Sequence, residues 1–201
     1  EDLGGNASAR IAGKQSRILT IEPGVKLSGS AGADSLVVNR GSQLYAEGTS
    51  TNPIVFTSRA GIDGQTNVDS IGQWGGVVVL GRAPISACPG STTSGSPECQ
   101  AAIEGINNVF YGGNNAGDNS GRMRFVRVQH SGFKVSENNE LNGISFGGVG
   151  SATVVDHVQV HNSSDDGIEI FGGSVNLKYV VLTGNDDDSL DTDTGWNGAT
   201  Q

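Results

Sequence analysis

Apolar and polar positions alternate in short runs along this chain, and the runs recur. Val126, Val158 and Val180 fall in one column; Val128, Val160 and Leu182 fall two residues on, with Arg127, Gln159 and Val181 between them. That is strand periodicity. A second short strand repeats it, with Ile144, Ile168 and Leu190 predicted inward and Ser145, Glu169 and Asp191 outward. No part of the repeat carries a helical stripe. The later copies lie 22 residues apart, Val155 over Leu177 and Asp165 over Asp187. A fixed period of this size marks stacked supersecondary units. Two or three short strands per repeat, joined by Gly/Asn/Asp turns, predict one coil of a parallel β-helix. Coils stack about 4.8 Å apart, the spacing of hydrogen-bonded strands.

The stacking turns columns into contacts. Phe125, His157 and Tyr179 are predicted to form an aromatic ladder. Arg124, Asp156 and Lys178 alternate in sign up one face, which is favourable between adjacent strands. The fold class is therefore all-β: a single-stranded parallel β-helix, one domain over residues 1–201, with one long loop insertion.

Taken in order, residues 1–17 lack alternation and read as a leader or cap over the first coil. Residues 18–80 hold the first coils. Here a 17-residue echo sets Leu19–Leu27 against Leu36–Leu44, each half reading strand, glycine turn, strand. Ile54–Thr57 is a further strand and Ala60–Gly72 a polar loop. Trp74–Leu80 is continuously apolar, so its outer side is expected to be covered. The expected cover is the insertion, residues 81–121, whose second half, Tyr111–Gly121, reads as an exposed low-complexity loop. Insertions on solenoids fall on one face, often the one that binds. Residues 122–201 are the last coils, which end without a capping element; a shortened chain or an end that docks on another copy is expected.

Composition narrows the function classes. With 32 glycines among 201 residues the chain suits an architecture of tight corners. Four lysines and a net charge of −9 argue against a nucleic-acid partner. No apolar run reaches membrane-spanning length and no signal peptide opens the chain. Cys88 and Cys99 lie in a Gly/Ser/Pro-rich loop at a spacing wrong for zinc or a redox pair. A local disulfide is expected, with an oxidising, extracellular or cell-surface setting.

The segments TIEPGVKL, AEGTSTNPIVFTS, GQWGGVVVLGRAPI, GGVGSATVVDHVQVHNSSDDGIEIFGG and TGNDDDSLDTDTGW resemble a group of secreted or lipid-anchored bacterial right-handed β-helix proteins, common in Bacteroidetes and marine Proteobacteria. The resemblance runs from about Leu19 onward. It implies a right-handed coil and a superfold similar to pectate lyases and polygalacturonases. It brings no established activity, because that superfold includes both enzymes and adhesins.

The chemistry is concentrated in acidic turns. Asp165, Asp166, Glu169, Asp186, Asp187, Asp188, Asp191 and Asp193 lie within two adjacent coils. Carboxylates about 5 Å apart repel by roughly 3 kcal/mol at an effective dielectric of 20. A cation relieves that, and Ca²⁺, with six to eight oxygen ligands at about 2.3–2.6 Å, spans a coil spacing. All eight residues are candidate calcium ligands, although Asp191–Gly195 is not an EF-hand loop. A second reading is catalytic, with Asp165, Asp166, Asp187 and Asp188 as candidates. One coil spacing approaches the roughly 5 Å separation of a retaining glycosidase pair, and Asn162 with Asp165-Asp166 faintly resembles the polygalacturonase aspartates. The Gly-His-Gly and Arg-x-Lys elements of that family are absent, and Arg127 sits at the wrong corner to serve a lyase as base. The third reading is an Asx ladder, in which these side chains bond their own backbone and need no ligand.

Other features have quieter expectations. His157 belongs to the ladder, while His130 and His161 read as solvated turn residues. Trp74 and Trp196 are expected to pack against loops rather than to stack sugars. Asn6 and Asn162 head glycosylation sequons. The function expected is non-catalytic: an extracellular rod stabilised by calcium, acting as a surface, adhesion or assembly module. A polysaccharide or cell-envelope glycan and end-to-end self-association are the expected partners. The alternatives are a polysaccharide lyase or hydrolase at the acidic face, and a filament subunit.

Overall fold

A computed structural model describes residues 17–137 and 139–201. The leader reading and the Asn6 sequon fall outside them, Arg17 apart. Each coil is two or three strands. The first contains β1 (Ile18–Ile21), β2 (Lys26–Gly29) and β3 (Ser35–Val38). The second contains β4 (Gln43–Glu47), β5 (Ile54–Ser58), the single helical turn α1 (Arg59–Ile62) and β6 (Gly76–Leu80). A hairpin, β7 (Ala101–Ala102) and β8 (Phe110–Tyr111), lies in the insertion. The third coil runs from β9 (Gly121–Gln129) through the hairpin β10 (Lys134–Ser136) and β11 (Asn139–Glu140) to β12 (Ile144–Gly147). The fourth is β13 (Val154–His161) with β14 (Ile168–Phe171), and the fifth is β15 (Asn176–Thr183) with β16 (Leu190–Asp193).

Strands of successive coils pair in parallel, β3-β6-β12-β14-β16 on one face and β1-β4-β9-β13-β15, with β2-β5-β9, on the others. The register is the one the columns predict: Val158 pairs with Val126 and Val180, and Ile168 with Ile144 and Leu190. The 17-residue echo is different. Leu19 pairs with Leu44, Leu27 with Phe56 and Leu36 with Val77. The two halves of the echo are therefore successive strand–turn–strand pieces that run from one coil into the next. They share the same local grammar without being stacked copies.

The corners explain how long strands become coils. Phe125, His157 and Tyr179 have φ of 49°, 54° and 53°. They bend β9, β13 and β15 and drop out of the pairing on either side. A second column, His130, Asn162 and Gly184, has φ of 60°, 60° and 66°. A third, Gly148, Gly172 and Thr194, has 56°, 67° and 48°. Left-handed backbone costs a residue with a side chain about 1–2 kcal/mol. At the first corner the rings stack, 4.4 Å from Phe125 to His157 and 4.6 Å from His157 to Tyr179. Such pairs contribute about 0.5–1.5 kcal/mol each, so the two ring contacts offset part of the cost of the three corner residues. Arg124 completes the column beside the ladder with a 2.9 Å ion pair to Asp156, which lies in register with Lys178.

Inside, Ile54, Val126, Val158, Ile144, Phe146, Ile168 and Ile170 are all essentially inaccessible, forming one continuous core along the axis. A second core lies outside the coil. Val78 and Leu80, on the outward face of β6, are covered by Ile85, Cys99, Ile103, Val109 and Tyr111 of the insertion. The insertion also climbs the rod. Gly81 and Ala83 donate backbone N–H groups to Gly147 and Gly148 (both 2.8 Å), Gly173 donates to Pro84 (2.9 Å), and Ser86 donates to Thr194 (2.8 Å). One strand-like segment thus ties the third, fourth and fifth coils together.

Several expectations change here. The segment Tyr111–Gly121 is exposed only in its middle; Tyr111 and Asp118 are buried. Asp118 is held there by Arg82, 3.8 Å away, at the base of the insertion. Arg40 beside it donates to Gln100 at 2.6 Å. The polar loop after β5 begins with α1, capped by Ser58, whose hydroxyl accepts from the Gly61 N–H. His130 is buried rather than solvated, with Nδ1 2.7 Å from the Ser70 carbonyl. His161 ends β13 half-buried, sharing a 2.9 Å hydrogen bond with Thr183. Trp74 is buried and donates to the Gln129 carbonyl, and Trp196 donates to Val175, so both pack as expected. Cys88 and Cys99 form the expected disulfide. Among the described residues no helix is long and apolar enough to cross a membrane.

Candidate metal centre

The turn between the Asn162 corner and β14 carries the acidic cluster. Its scaffold is a ladder that the sequence hinted at in another form. The Asp166 N–H donates to Asn142 Oδ1 (3.2 Å), and the Asp188 N–H donates to Asp166 Oδ1 (3.0 Å). Each side-chain oxygen accepts from the equivalent residue one coil on, instead of from its own backbone. Asn142 belongs to this column because it stands two residues before Ile144, as Asp166 stands before Ile168 and Asp188 before Leu190. Its amide then donates to Glu169 Oε2 at 2.6 Å, across to the neighbouring outward column of β12 and β14.

Two carboxylate triads flank this ladder. Oxygens of Asp165, Asp166 and Asp187 lie within 4.8 Å of one another, and so do those of Asp166, Glu169 and Asp191. Asp166 is common to both. Of the eight candidate ligands, these five are brought together. Asp186 lines the same cleft, Asp188 supplies its backbone N–H to the ladder, and Asp193 lies beyond the triads at the end of β16, where its carbonyl accepts from Gly172.

Glu169 was expected to point outward, and it does, but the insertion covers it: only 8% of it is accessible, as is 7% of Asp166. Loss of water is the main reason these groups hold their protons. It pushes Glu169 up to about 8, against the pull of the Asn142 amide and with help from Asp166, Glu104 and Asp191. Asp166 is pushed up to about 7 by burial and then by Asp165, despite the Asp188 N–H. Asp165 rises to about 6 through burial, Glu140 and Asp187, with Lys134 opposing. Asp165, Asp166 and Glu169 of the fourth coil face Asp187 and Asp191 of the fifth, so negative charge accumulates here as these groups ionise.

Three neighbours escape the repeat pattern. Glu104, on the β7–β8 turn, has its own carboxyl raised by burial. Its neighbour Gly105 donates its N–H to Asn139 Oδ1 at 2.8 Å, which seats the insertion against the β10–β11 hairpin. Lys134 and Glu140, paired across that hairpin, form a 2.6 Å ion pair. They line a cleft with Asp165, Asp186 and Asp187. Lys134 is thus a basic group beside the acidic turn, which the sequence reading, having weighed Arg127 alone, did not identify. Glu104 lies in a turn, and Lys134 and Glu140 in a hairpin outside the repeat, so no column pointed to them. Asn142 was detectable from the alignment.

The donor set is all oxygen, with no His or Cys in either triad. That fits a hard, oxygen-seeking cation. Asp165, Asp166 and Asp187 would hold it at the open side, and Glu169 and Asp191 under the insertion.

The family described as pectate-lyase-like β-helix domain matches residues 6–201. No curated protein and no solved structure matches the chain. A match spanning nearly the whole length, on a chain folded as a parallel β-helix, places this protein in the pectate-lyase-like β-helix domain family.

Proposed function

We propose that the chain is an extracellular β-helix module, non-catalytic, whose acidic turn binds calcium and so locks the fourth and fifth coils together for a surface, adhesion or assembly role. The observation that carries this is the pair of carboxylate triads sharing Asp166. Four of the five side chains are half-buried or buried, so their repulsion acts at short range in poor solvent. An ion with flexible oxygen coordination satisfies them without rebuilding the backbone. The disulfide is in keeping with an oxidising setting. The test is calcium titration followed by calorimetry and by thermal unfolding, with magnesium for comparison. Absence of calorimetric binding at pH 8 overturns the reading.

One observation favours the enzymatic alternative. Lys134 stands on the rim of the acidic cleft, where a lyase would place a proton-abstracting base next to a metal-bound uronate. Its 2.6 Å ion pair with Glu140 already engages the ammonium and argues against that role. Assays against acidic and neutral polysaccharides, with Lys134→Ala and Asp187→Asn, separate the two. Cleavage that both variants abolish would make the protein a lyase.

A further inference from the structure

Where β2, β5 and β9 lie side by side, their outward face carries a hollow of about 360 Å³. Two segments wall it. One is the turn Gly48–Pro53, which stands where the third coil has the single corner residue Phe125, since Glu47 pairs with Arg124 and Ile54 with Val126. Gly24, at φ 82°, donates its N–H to the Asn52 carbonyl at 3.1 Å and so stacks the β1–β2 turn against this wall. The other wall is α1, which lies directly on Thr57: a Cβ on Gly61 would collide with the Thr57 hydroxyl. The volume is within the usual range of ligand sites, roughly 300–1,000 Å³.

Charge sets this face apart. Lys26, Val55, Arg127, Gln159 and Val181 form one outward column. The next column holds Ser28 and Thr57, then Gln129, His161 and Thr183. Neither contains an acid, on a chain that has 21 of them and a net charge of −9. Lys26 and Arg127 line the hollow, are exposed, and have no ion pair among the described residues. The acids of the bordering segments are placed elsewhere. Glu47 lies 3.9 Å from Arg122, Asp63 pairs with Arg59 at 2.9 Å, and Glu22 does not line the hollow.

Lys26 and Arg127 are two rises apart, roughly 10 Å along the axis, with Val55 between them. Side chains of this length can both reach an anion seated over Val55. Thr51, Asn52 and Gln129 add hydroxyl and amide hydrogens to the lining. Two positive charges and donors on several sides match a dianion whose oxygens point in several directions. Phosphate has that shape and charge, whereas a carboxylate is planar and carries one charge. The remaining lining includes Pro53 and Ile62, and Ile62 is 42% exposed at the end of α1. An apolar group beside the anion would cover it.

We propose that this hollow binds a phosphomonoester, its phosphate held between Lys26 and Arg127 over Val55 and its apolar body against Ile62 and Pro53. The hollow shares no residue with the acidic turn, so it stands or falls independently of calcium.

The experiment is calorimetric titration of the full chain at pH 8, in chelator, with phenyl phosphate, inorganic phosphate and benzoate. A phosphomonoester loses its second proton at about pH 6, so phenyl phosphate is a dianion here. It is expected to bind more tightly than the other two, since inorganic phosphate lacks the body and benzoate the second charge. Lys26→Gln and Arg127→Gln should each weaken it about three- to fivefold, the worth of one exposed charge contact. Ile62→Ser should remove its advantage over inorganic phosphate and leave inorganic phosphate unchanged. Lys178→Gln, which removes the same charge from the column of Asp156, should change affinity less than about twofold. Failure of phenyl phosphate to bind overturns the proposal, as does benzoate binding equally well. Inorganic phosphate binding as tightly as phenyl phosphate would assign the hollow to the free ion and overturn the ester. A loss in Lys178→Gln as large as in Arg127→Gln would overturn the location.

Discussion

Asp166 Oδ1 lies 3.0 Å from the backbone nitrogen of Asp188, so a carboxylate of one coil fixes the turn of the next. The same side chain also stands in both acidic triads. Structural and electrostatic roles can be separated by substitution. Asp166→Asn keeps an acceptor oxygen and removes the charge. In chelator at pH 8 its unfolding midpoint should equal or exceed that of the parent. Asp166→Leu removes the acceptor as well and should cost about 1–3 kcal/mol for the stranded N–H, read by urea unfolding. A large loss in Asp166→Asn would mean that the charge is satisfied within the protein.

The raised carboxyls set a pH dependence with a definite sign. Ordinary values are 3.8 for Asp and 4.5 for Glu, against about 6, 7 and 8 for Asp165, Asp166 and Glu169. The folded state binds these protons more tightly than the unfolded chain, so their contribution is fully present below about pH 4 and is lost as pH rises through 6 to 8. Metal-free protein should therefore unfold at lower temperature at pH 8 than at pH 5, and calcium should narrow that difference. A midpoint that rises from pH 5 to pH 8 in chelator contradicts the assignment.

Asn162 illustrates why a corner residue is hard to replace. Its φ is 60°, its side chain is buried, and its Nδ2 donates to the Val68 carbonyl at 2.9 Å. Asn162→Ala loses both the tolerance for left-handed backbone and the hydrogen bond, costing about 2–3 kcal/mol. Asn162→Gly keeps the first and should cost about 1 kcal/mol. Buried this way, the sequon at Asn162 should carry no glycan when the folded protein is offered to a glycosylating enzyme. Mass spectrometry checks this.

The Cys88–Cys99 bridge closes a loop of sequence separation 11 on the insertion. Chain-entropy reasoning gives it about 3 kcal/mol. Replacing both cysteines by serine should lower the midpoint by roughly 5–10 °C for a chain of this size. Because Cys99 is packed with Val78 and Leu80, amide exchange should quicken first in residues 84–100. Uniform quickening across all coils would mean that the insertion and the rod unfold as one unit.

The alternation and the 22-residue repeat were enough to read the coil, its register and the aromatic ladder. These are properties of stacking, in which equivalent positions become neighbours. Such columns also contained the acidic turn and, unrecognised, Asn142. Segments outside the repeat were less readable. Glu104 comes from a turn of the insertion and Lys134 and Glu140 from the β10–β11 hairpin, all outside the repeat. The burial of Glu169 depends on an insertion whose landing site no periodicity encodes. The 17-residue echo was read correctly as strand, glycine turn and strand, but that grammar belongs to any two adjacent faces and does not by itself say which strands pair.

The account rests on a cation completing the two triads around Asp166, and thermal unfolding at pH 8 in calcium against chelator tests it most directly. At a hundred times its dissociation constant, calcium should add about 2.7 kcal/mol, a rise of roughly 5–10 °C, in the parent protein and not in Asp166→Asn. An identical midpoint in calcium and chelator for the parent, or an equal rise in Asp166→Asn, would contradict it.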